Sequence, residues 1–313
     1  MSVQVIEKSK RAPKPRENEP IHQIQTNGQR VFAVVNYFLL TLAALACVLP
    51  FWYIVCLSFS SNGAVISGQV RFWPKEFTFE AYTYVMERPT FWNALVVTLQ
   101  RIALGLPINL FLVICSAYPL SKASYRFHGR GVYVWYFFLT MLFNGGMIPT
   151  YLVVVQLGLL DSVWALVLPT SINVFNMLLL LSFFRQIPGD IEDAAFIDGA
   201  GHWRLLWQIY VPISVPVIAT VTLFTLVQHW NSWFDGLIYM QPENYPLQTY
   251  LRSIIYNFDF SKLTPEEQAR LAQMNVRSVK SAQMVMGAIP ILAVYPFLQK
   301  YFVSGITLGS VKG

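Results

Sequence analysis

Long uninterrupted runs of apolar residues dominate this chain. A helix needs roughly 20 such residues to cross the hydrocarbon core of a bilayer, which is about 30 Å thick. Six runs reach about that length, and they lie at about 31–58, 92–121, 132–157, 163–184, 213–240 and 281–303. The strands of a membrane barrel would instead give short segments of alternating polarity. The pattern therefore predicts an all-α fold, a polytopic membrane helical bundle with six transmembrane helices.

Composition strengthens this prediction and narrows the partners. Of the 313 residues, 55% are hydrophobic and 12% are charged, and the mean hydropathy is +0.47. Many of the basic residues behind the net charge of +6 flank the predicted spans. We therefore expect these basic residues to contact the anionic headgroups of membrane lipid, and we expect no nucleic acid partner. Cys47, Cys56 and Cys115 fall inside predicted spans, which argues against a disulfide framework or a metal site.

Basic residues in short segments predict the orientation. Residues 1–30 are basic and lack an apolar run, which predicts a flexible cytoplasmic tail without a cleavable signal peptide. The loop after the second run contains Lys122, Arg126 and Arg130 and no acidic residue. Because short loops rich in Lys and Arg stay in the cytoplasm, both of these segments are assigned to that side. Six spans then place both termini in the cytoplasm and the loops at 59–91 and 241–280 outside.

The segment between the fourth and fifth runs, residues 186–212, differs in chemistry from the spans. Asp190 is placed to cap a first short helix, and Gly199 and Gly201 supply the backbone freedom that ends it. A second helix from about His202 would put four large side chains on one face: Trp203, Leu206, Trp207 and Tyr210. This face lies on the bilayer surface, lies on the chain's own bundle, or docks a partner protein.

This segment resembles the Glu-Ala-Ala loop of ATP-binding-cassette (ABC) importer permeases. The residues at matching spacings are Asp193, Ala194, Ala195, Asp198, Gly199, Ala200, Ile209, Val211 and Pro212. Asp193 stands where that family usually has Glu, and Val211 stands where it usually has Leu. The resemblance implies that residues 186–212, hereafter the coupling segment, contact an ATPase through Asp193, Ala194, Ala195, Asp198, Gly199, Ala200, Ile209 and Pro212.

Further matches extend the resemblance to most of residues 31–313 and point to carbohydrate permeases. Two segments resemble the outer segment of carbohydrate permeases, Phe77–Tyr82 and Phe91–Ala94. Two others resemble the end of the maltose-type second permease, Gln299–Val303 and Val311–Gly313. Two more are similar to permeases for complex sugars and plant-polysaccharide fragments, Asn144–Tyr151 and Tyr245–Leu251. The resemblance implies a type I ABC importer permease fold and an oligosaccharide substrate.

The same resemblance implies the partners. No phosphate-binding GxxxxGK[ST] motif occurs in the chain, so ATP must be bound elsewhere. Two cytoplasmic ATPase subunits would bind ATP and Mg, while this chain would carry no cofactor. A second homologous permease would complete the pore, and an extracellular solute-binding protein would deliver the sugar. The tail Val311, Lys312 and Gly313 would contact the ATPases, and the complex would sit in a bacterial cytoplasmic membrane.

The fifth run carries a polar stripe that is a candidate for the translocation pathway. Thr225, Gln228, Ser232 and Asp235 follow each other at three- and four-residue steps and so share one helix face. Such a stripe faces protein or water, or it forms hydrogen bonds between helices. Three aromatic residues lie beside this stripe: Trp230, Trp233 and Phe234. Such rings stack on sugars, but the depth predicted for these three, near the outer surface, favours an interfacial aromatic belt.

Several other positions carry local predictions. Arg101 is expected to meet Asp235 or a polar cavity rather than lipid. Gly145, Gly146 and Pro149 interrupt the third run, either as a hinge or to relieve local packing. A capping box predicts a short outer helix that begins near Thr264.

Other functions were weighed against this one. An ion-coupled secondary transporter needs charged groups inside its spans, for which Arg101 and Asp235 are the candidates. An ABC permease for a peptide or glycerol phosphate would share the coupling segment. An anionic solute should favour basic residues along the pathway, and the fifth run has an acid, so a neutral sugar is preferred. A membrane-embedded enzyme is disfavoured, since no HExxH or GxSxG motif occurs, and no catalytic residue is expected.

Overall fold

The computed structural model describes residues 27–256 and 275–310, and the regular structure there is helical. The described chain falls into two units that divide after Phe51. The helices are α1 (Asn27–Ser58), α2 (Asn62–Ile66), α3 (Glu80–Met86), α4 (Pro89–Ser121), α5 (Arg130–Leu142), α6 (Met147–Gln156), α7 (Val163–Val167), α8 (Val174–Phe184), α9 (Gly189–Ile197), α10 (His202–Leu205), α11 (Val211–Ile213), α12 (Val215–Asn231), α13 (Phe234–Tyr239), α14 (Leu247–Tyr256) and α15 (Val276–Ser310). The all-α prediction is confirmed for these residues.

The described residues contain two helices, α1 and α4, that are each long and apolar enough to cross a membrane. Three bent helix pairs bring the number to five if each pair is one broken span. The sixth predicted run falls within α15. The count of six spans therefore stays a prediction.

The third apolar run is interrupted at Gly145 and Gly146, as the sequence predicts. Helix α5 ends at Leu142 and α6 begins at Met147, and the two helices are bent by 108°. Gly146 has φ +94°, a conformation that side chains rarely allow. Its N–H donates to Asn144 Oδ1 at 2.8 Å, which fixes the turn locally. The predicted break is confirmed, and its use as a hinge stays a prediction.

The fifth run also differs from a single predicted helix. Helix α12 ends at Asn231, Ser232 is extended, and α13 starts at Phe234. At its other end α12 meets residues His202–Ile213 at a bend of 84°. The coupling segment therefore turns sharply into the fifth run, and polar groups gather at the break near Ser232.

Helix α4 lies at the centre of the second unit, where it packs against α8 and α12. Small residues allow the helices to approach closely, as is usual in membrane bundles. A Cβ atom on Gly105 would lie 2.6 Å from His229 Nε2, so α4 and α12 are in direct backbone-to-side-chain contact there. The main core cluster continues from these helices into the coupling segment through Leu205, Leu206 and Tyr210.

Candidate functional site

The first helix of the coupling segment, α9, begins two residues earlier than the sequence suggests. Pro188 occupies the N-cap position without a side-chain bond, and Gly189 is already helical. The prediction that Asp190 caps this helix is therefore wrong. Asp190 lies in the first turn instead, where a carboxylate is favoured by the helix dipole.

The glycine turn that ends α9 is confirmed at Gly199 but not at Gly201. Gly199 has φ +78°, and its N–H donates to Phe196 O while the N–H of Ala200 donates to Ala195 O. This pair of bonds is the Schellman arrangement, which favours glycine at this position. Gly201 has φ −79° and serves as the N-cap residue of α10, so any residue could adopt its backbone conformation.

The apolar face of the second helix packs on the chain's own bundle. Leu206 and Tyr210 are buried, and the Tyr210 ring lies 5.4 Å from the ring of Phe184. Trp207 stacks on Phe111 at 6.4 Å, whereas Trp203 is 63% exposed. Residues 206–210 form a π-helical turn, which explains why the four predicted residues do not share one environment. The hypothesis that all four side chains form one face that contacts a partner protein is therefore wrong.

The alanines of the coupling segment also divide between two sides. Ala195 is buried, and Ala200 and Ile209 pack at the edge of the main core. Ala195 therefore does not lie on an outward surface, because α9 turns this residue toward its own bundle. The outward side holds Asp193, Ala194, Ile197, Asp198 and Gly199, and Pro212 is exposed near the bend.

Ile197 was missed by sequence reasoning. It is 86% exposed, the highest value among the large exposed hydrophobic side chains of the described residues. The sequence signal that could have identified it is an isoleucine directly before the polar turn Asp198–Gly199. Side chains next to a water-exposed turn are usually polar. A single exposed isoleucine is unremarkable by itself. Its place at the tip of the coupling segment makes it a candidate contact residue.

A buried carboxylate anchors α9 to the loop after α4. Glu192 lies 3.1 Å from Lys122 Nζ and 2.8 Å from Arg126 Nη1, and Tyr210 donates its hydroxyl proton to Glu192 Oε2 at 3.1 Å. Arg126 also pairs with Asp193. Burial lowers the pKa of Lys122, and the Glu192 carboxylate opposes that shift. These ion pairs fix the coupling segment to the end of the membrane core.

Lys122 is also held between two aromatic rings. Its Nζ atom lies 4.0 Å from the ring centroids of both Tyr118 and Tyr210, a cation–π geometry. Because the loop after α4 touches the coupling segment, the two lie on the same side of the bundle. The predicted orientation requires this arrangement, since it assigns both to the cytoplasm.

The predicted pairing of Arg101 is confirmed. Arg101 is 1% exposed, and its Nη1 donates to Asp235 Oδ1 at 3.2 Å, with a second bond from Nη2 to the other carboxylate oxygen. Its Nε donates to His229 Nδ1 at 3.2 Å. Ser232 adds a hydrogen bond to the same carboxylate at 2.8 Å. The Asp235 carboxylate is therefore paired with Arg101 of α4 and hydrogen-bonded to Ser232 in the break after α12.

The rest of the predicted polar stripe does not share one role. Thr225 is buried and donates to Asn109 Oδ1 at 3.0 Å, while Asn176 Nδ2 donates to Thr225 Oγ1 at 3.2 Å. Gln228 is exposed, and its Oε1 accepts from Asn173 Nδ2 at 3.0 Å. Thr225, Ser232 and Asp235 thus serve packing between or within helices, and only Gln228 among the four is exposed.

The predicted aromatic belt is wrong for Trp230. Trp230 is 4% exposed and belongs to a cluster with Phe91 and Leu247, so it faces protein. The cause is α14, which contacts both α4 and α15 and covers this end of α12. Phe234 is 47% exposed, as a belt residue would be. The tail Val311–Gly313 and the predicted helix near Thr264 lie outside the described residues.

An apolar helical bundle with broken helices and a paired arginine in its interior is typical of an integral membrane protein. Residues 28–308 match the family described as binding-protein-dependent transport system inner membrane component. The chain belongs to this family. It is therefore a membrane-embedded permease subunit and not an enzyme, and the secondary-transporter alternative is set aside.

Known relatives match along nearly their full length. Protein LplC of Bacillus subtilis strain 168 is 41% identical over 92% of this chain and 97% of that protein. The polygalacturonan/rhamnogalacturonan transport system permease protein YtcP of the same organism is 38% identical over 91% of this chain and 99% of that protein. A chain from the crystal structure of a bacterial ABC transporter for import of the acidic polysaccharide alginate is 34% identical, with a TM-score of 0.83, over 89% of this chain and 99% of that chain. The fold is thus that of ABC permeases.

Proposed function

We propose that this chain is one of two permease subunits of an ABC importer that takes up oligosaccharides across a bacterial cytoplasmic membrane. It has six transmembrane helices and both termini in the cytoplasm. Two separate ATPase subunits bind ATP and Mg, and an extracellular solute-binding protein delivers the sugar. The family's dependence on binding proteins and the saccharide substrates in the names of its relatives support this proposal.

The coupling segment is the observation that carries the proposal. Its outward side ends in the exposed Ile197 and the turn at Gly199, while Glu192 and Ala195 fasten its other side to the bundle. A force applied at the exposed tip would therefore reach α4, α8 and α12 without first unfolding the segment. An ATPase that changes shape with ATP requires such a rigid contact.

The proposed coupling residues then have two roles. Asp193, Ala194, Asp198 and Gly199 form the surface that meets the ATPase, with Ile197 added to them. Ala195, Ala200 and Ile209 hold the segment to the bundle, and Pro212 lies at the turn into α12. The tail Val311, Lys312 and Gly313 adds a second contact with the ATPases.

The proposal predicts that transport follows internal ATP. Sealed right-side-out vesicles containing the complete importer and its binding protein should take up maltotriose, a neutral oligosaccharide, or trigalacturonate, an acidic one. Uptake should require ATP trapped inside and should survive a protonophore, because the energy comes from the ATPase partners. Uptake driven by an ion gradient without ATP, or uptake of neither saccharide with ATP, would contradict the proposal.

The orientation predicts which side of the membrane each loop can be labelled from. In a variant lacking Cys47, Cys56 and Cys115, Arg204→Cys in the coupling segment should react with an impermeant maleimide only after the membrane is opened. Gln69→Cys, in the loop assigned to the outside, should react in intact cells. Both positions are exposed, so accessibility depends on the side of the membrane. Labelling of Arg204→Cys in intact cells would reverse the orientation.

A further inference from the structure

Two amide side chains lie side by side where α8 meets α12. Asn173 Nδ2 donates to Gln228 Oε1 at 3.0 Å, and Gln228 is exposed while Asn173 is half-buried. Beside them, the exposed rings of Phe175 and Phe224 lie 6.4 Å apart. Because Phe224 and Gln228 are four residues apart, they share one face of α12. These two amides and two rings are hereafter the α8–α12 seam.

The depth of the seam follows from helix geometry. At a rise of 1.5 Å per residue, Asn173 lies about 17 Å along α8 from Phe184, and Gln228 lies about 20 Å along α12 from Val215. Phe184 and Val215 are the helix ends that adjoin the coupling segment. The middle of a hydrocarbon core about 30 Å thick is about 15 Å from either boundary. In the proposed orientation, both amides therefore lie near the middle of the membrane.

A lipid chain is a poor occupant for this seam. Lipid chains offer no hydrogen-bond partner, so polar side chains at this depth face protein or water. Two amides carry four donor protons and two acceptor oxygens, and the bond between Asn173 and Gln228 uses one of each. The helix also breaks here, since residues Val163–Thr170 meet α8 at a bend of 46°. Broken helices near the membrane middle line substrate sites in several transporter folds.

Contacts within the bundle fix the seam without a ligand. Asn173 Oδ1 accepts from the N–H of Asn176 at 3.1 Å and so caps α8. Behind the seam, the buried Asn176 donates from Nδ2 to Thr225 Oγ1 of α12 at 3.2 Å. The amide of Asn173 is therefore oriented, and α8 is held against α12, before any solute arrives.

From this arrangement we infer that the α8–α12 seam contacts a saccharide unit during translocation. The amides of Gln228 and Asn173 bind sugar hydroxyl groups, which donate and accept as amides do, and the ring of Phe175 supports the apolar face of the sugar. This inference rests on the proposed importer function and assigns a substrate contact to this chain. A polar face of the second permease is the competing occupant, and the test below separates the two.

The first test measures whether a saccharide occupies the seam. In the complete importer with its binding protein and without native cysteines, Gln228→Cys should react with a hydrophilic maleimide. Adding ATP together with maltotriose or trigalacturonate, whichever the importer takes up, should slow this reaction relative to ATP alone. Gln69→Cys, at an exposed position of the loop assigned to the outside, is the control, and the saccharide should leave its labelling unchanged.

The second test measures the contribution of the amide to transport. Gln228→Met keeps a side chain of similar size without its amide, and it should lower the uptake rate at limiting saccharide about two- to tenfold, the scale of one lost hydrogen bond. Gln228→Trp fills the seam and should lower uptake further, while the amount of assembled importer stays the same. Gln156→Met, at an exposed glutamine that ends α6, is the matched control and should not change uptake.

Every other outcome decides against the inference. Labelling of Gln228→Cys that the saccharide does not slow would overturn it. Absence of labelling in all conditions would mean that the seam is closed to solutes, and reduced recovery of the second permease with Gln228→Trp would then assign it to that partner. Unchanged ATP-dependent uptake in Gln228→Trp would reject the contact and leave the importer function intact, whereas a wild-type importer without ATP-dependent saccharide uptake would reject both.

Discussion

Replacing Ile197 with aspartate should detach the ATPase subunits from this chain while the membrane core stays folded. Ile197 is 86% exposed at the tip of the coupling segment, so its removal costs the isolated chain little. Burying an isoleucine in a partner contributes about 1.5–3 kcal/mol, and a buried unpaired charge would add a further penalty. Recovery of ATPase with the tagged permease should fall at least about tenfold, and sugar uptake should fall with it.

Three companion variants separate docking from folding. Ile191→Asp is the matched control, since Ile191 is 38% exposed on the same helix but distant from the tip, and it should retain the ATPases. Gly199→Val should weaken coupling through strain of order 1 kcal/mol at the positive φ. Ala195→Trp should instead lower the amount of folded protein, because Ala195 is buried. If Ile197→Asp kept full ATPase recovery and coupled hydrolysis, the tip would not be the docking surface.

The largest loss of stability is expected from Asp235→Leu. This change leaves Arg101, which is 1% exposed, without its carboxylate partner inside the bundle. Breaking one side of a buried ion pair costs about 3–5 kcal/mol. The detergent-solubilised protein should therefore lose its monodisperse peak at a clearly lower temperature than the wild type, and less of it should accumulate in the membrane.

The pair can be separated from the residues around it. The double change Arg101→Met with Asp235→Leu should recover most of the lost stability, because it removes the unpaired charge as well as its partner. Ser232→Ala, which removes a single hydrogen bond to Asp235, should cost only about 0.5–1.5 kcal/mol. Wild-type thermal stability in Asp235→Leu would mean that the ion pair does not support the fold.

Paired charges and polar hydrogen bonds between helices hold the interior of the described bundle together. Arg101 and Asp235 join α4 to the break after α12, and Thr225 joins Asn109 of α4 to Asn176 of α8. These groups are therefore poor candidates for contact with a passing sugar. Gln228, which belongs to the same predicted stripe as Thr225, is exposed instead.

Local chemistry was readable from the sequence wherever a single residue or a short spacing decides the structure. The long apolar runs predicted helices because the backbone in a bilayer must satisfy its own hydrogen bonds. Gly199 predicted the end of α9, since the turn needs a positive φ. The pairing of Arg101 with Asp235 followed from the high cost of an isolated charge among apolar helices.

Tertiary structure alone decided which side chains face protein. The sequence could not place Ala195 inward, bury Trp230 under α14, or bring Arg252 over Trp233, because these depend on contacts between distant segments. In water, an apolar stripe identifies the buried face of a helix. In a membrane, lipid and protein are both apolar, so the same pattern does not separate the face that packs from the face that meets lipid.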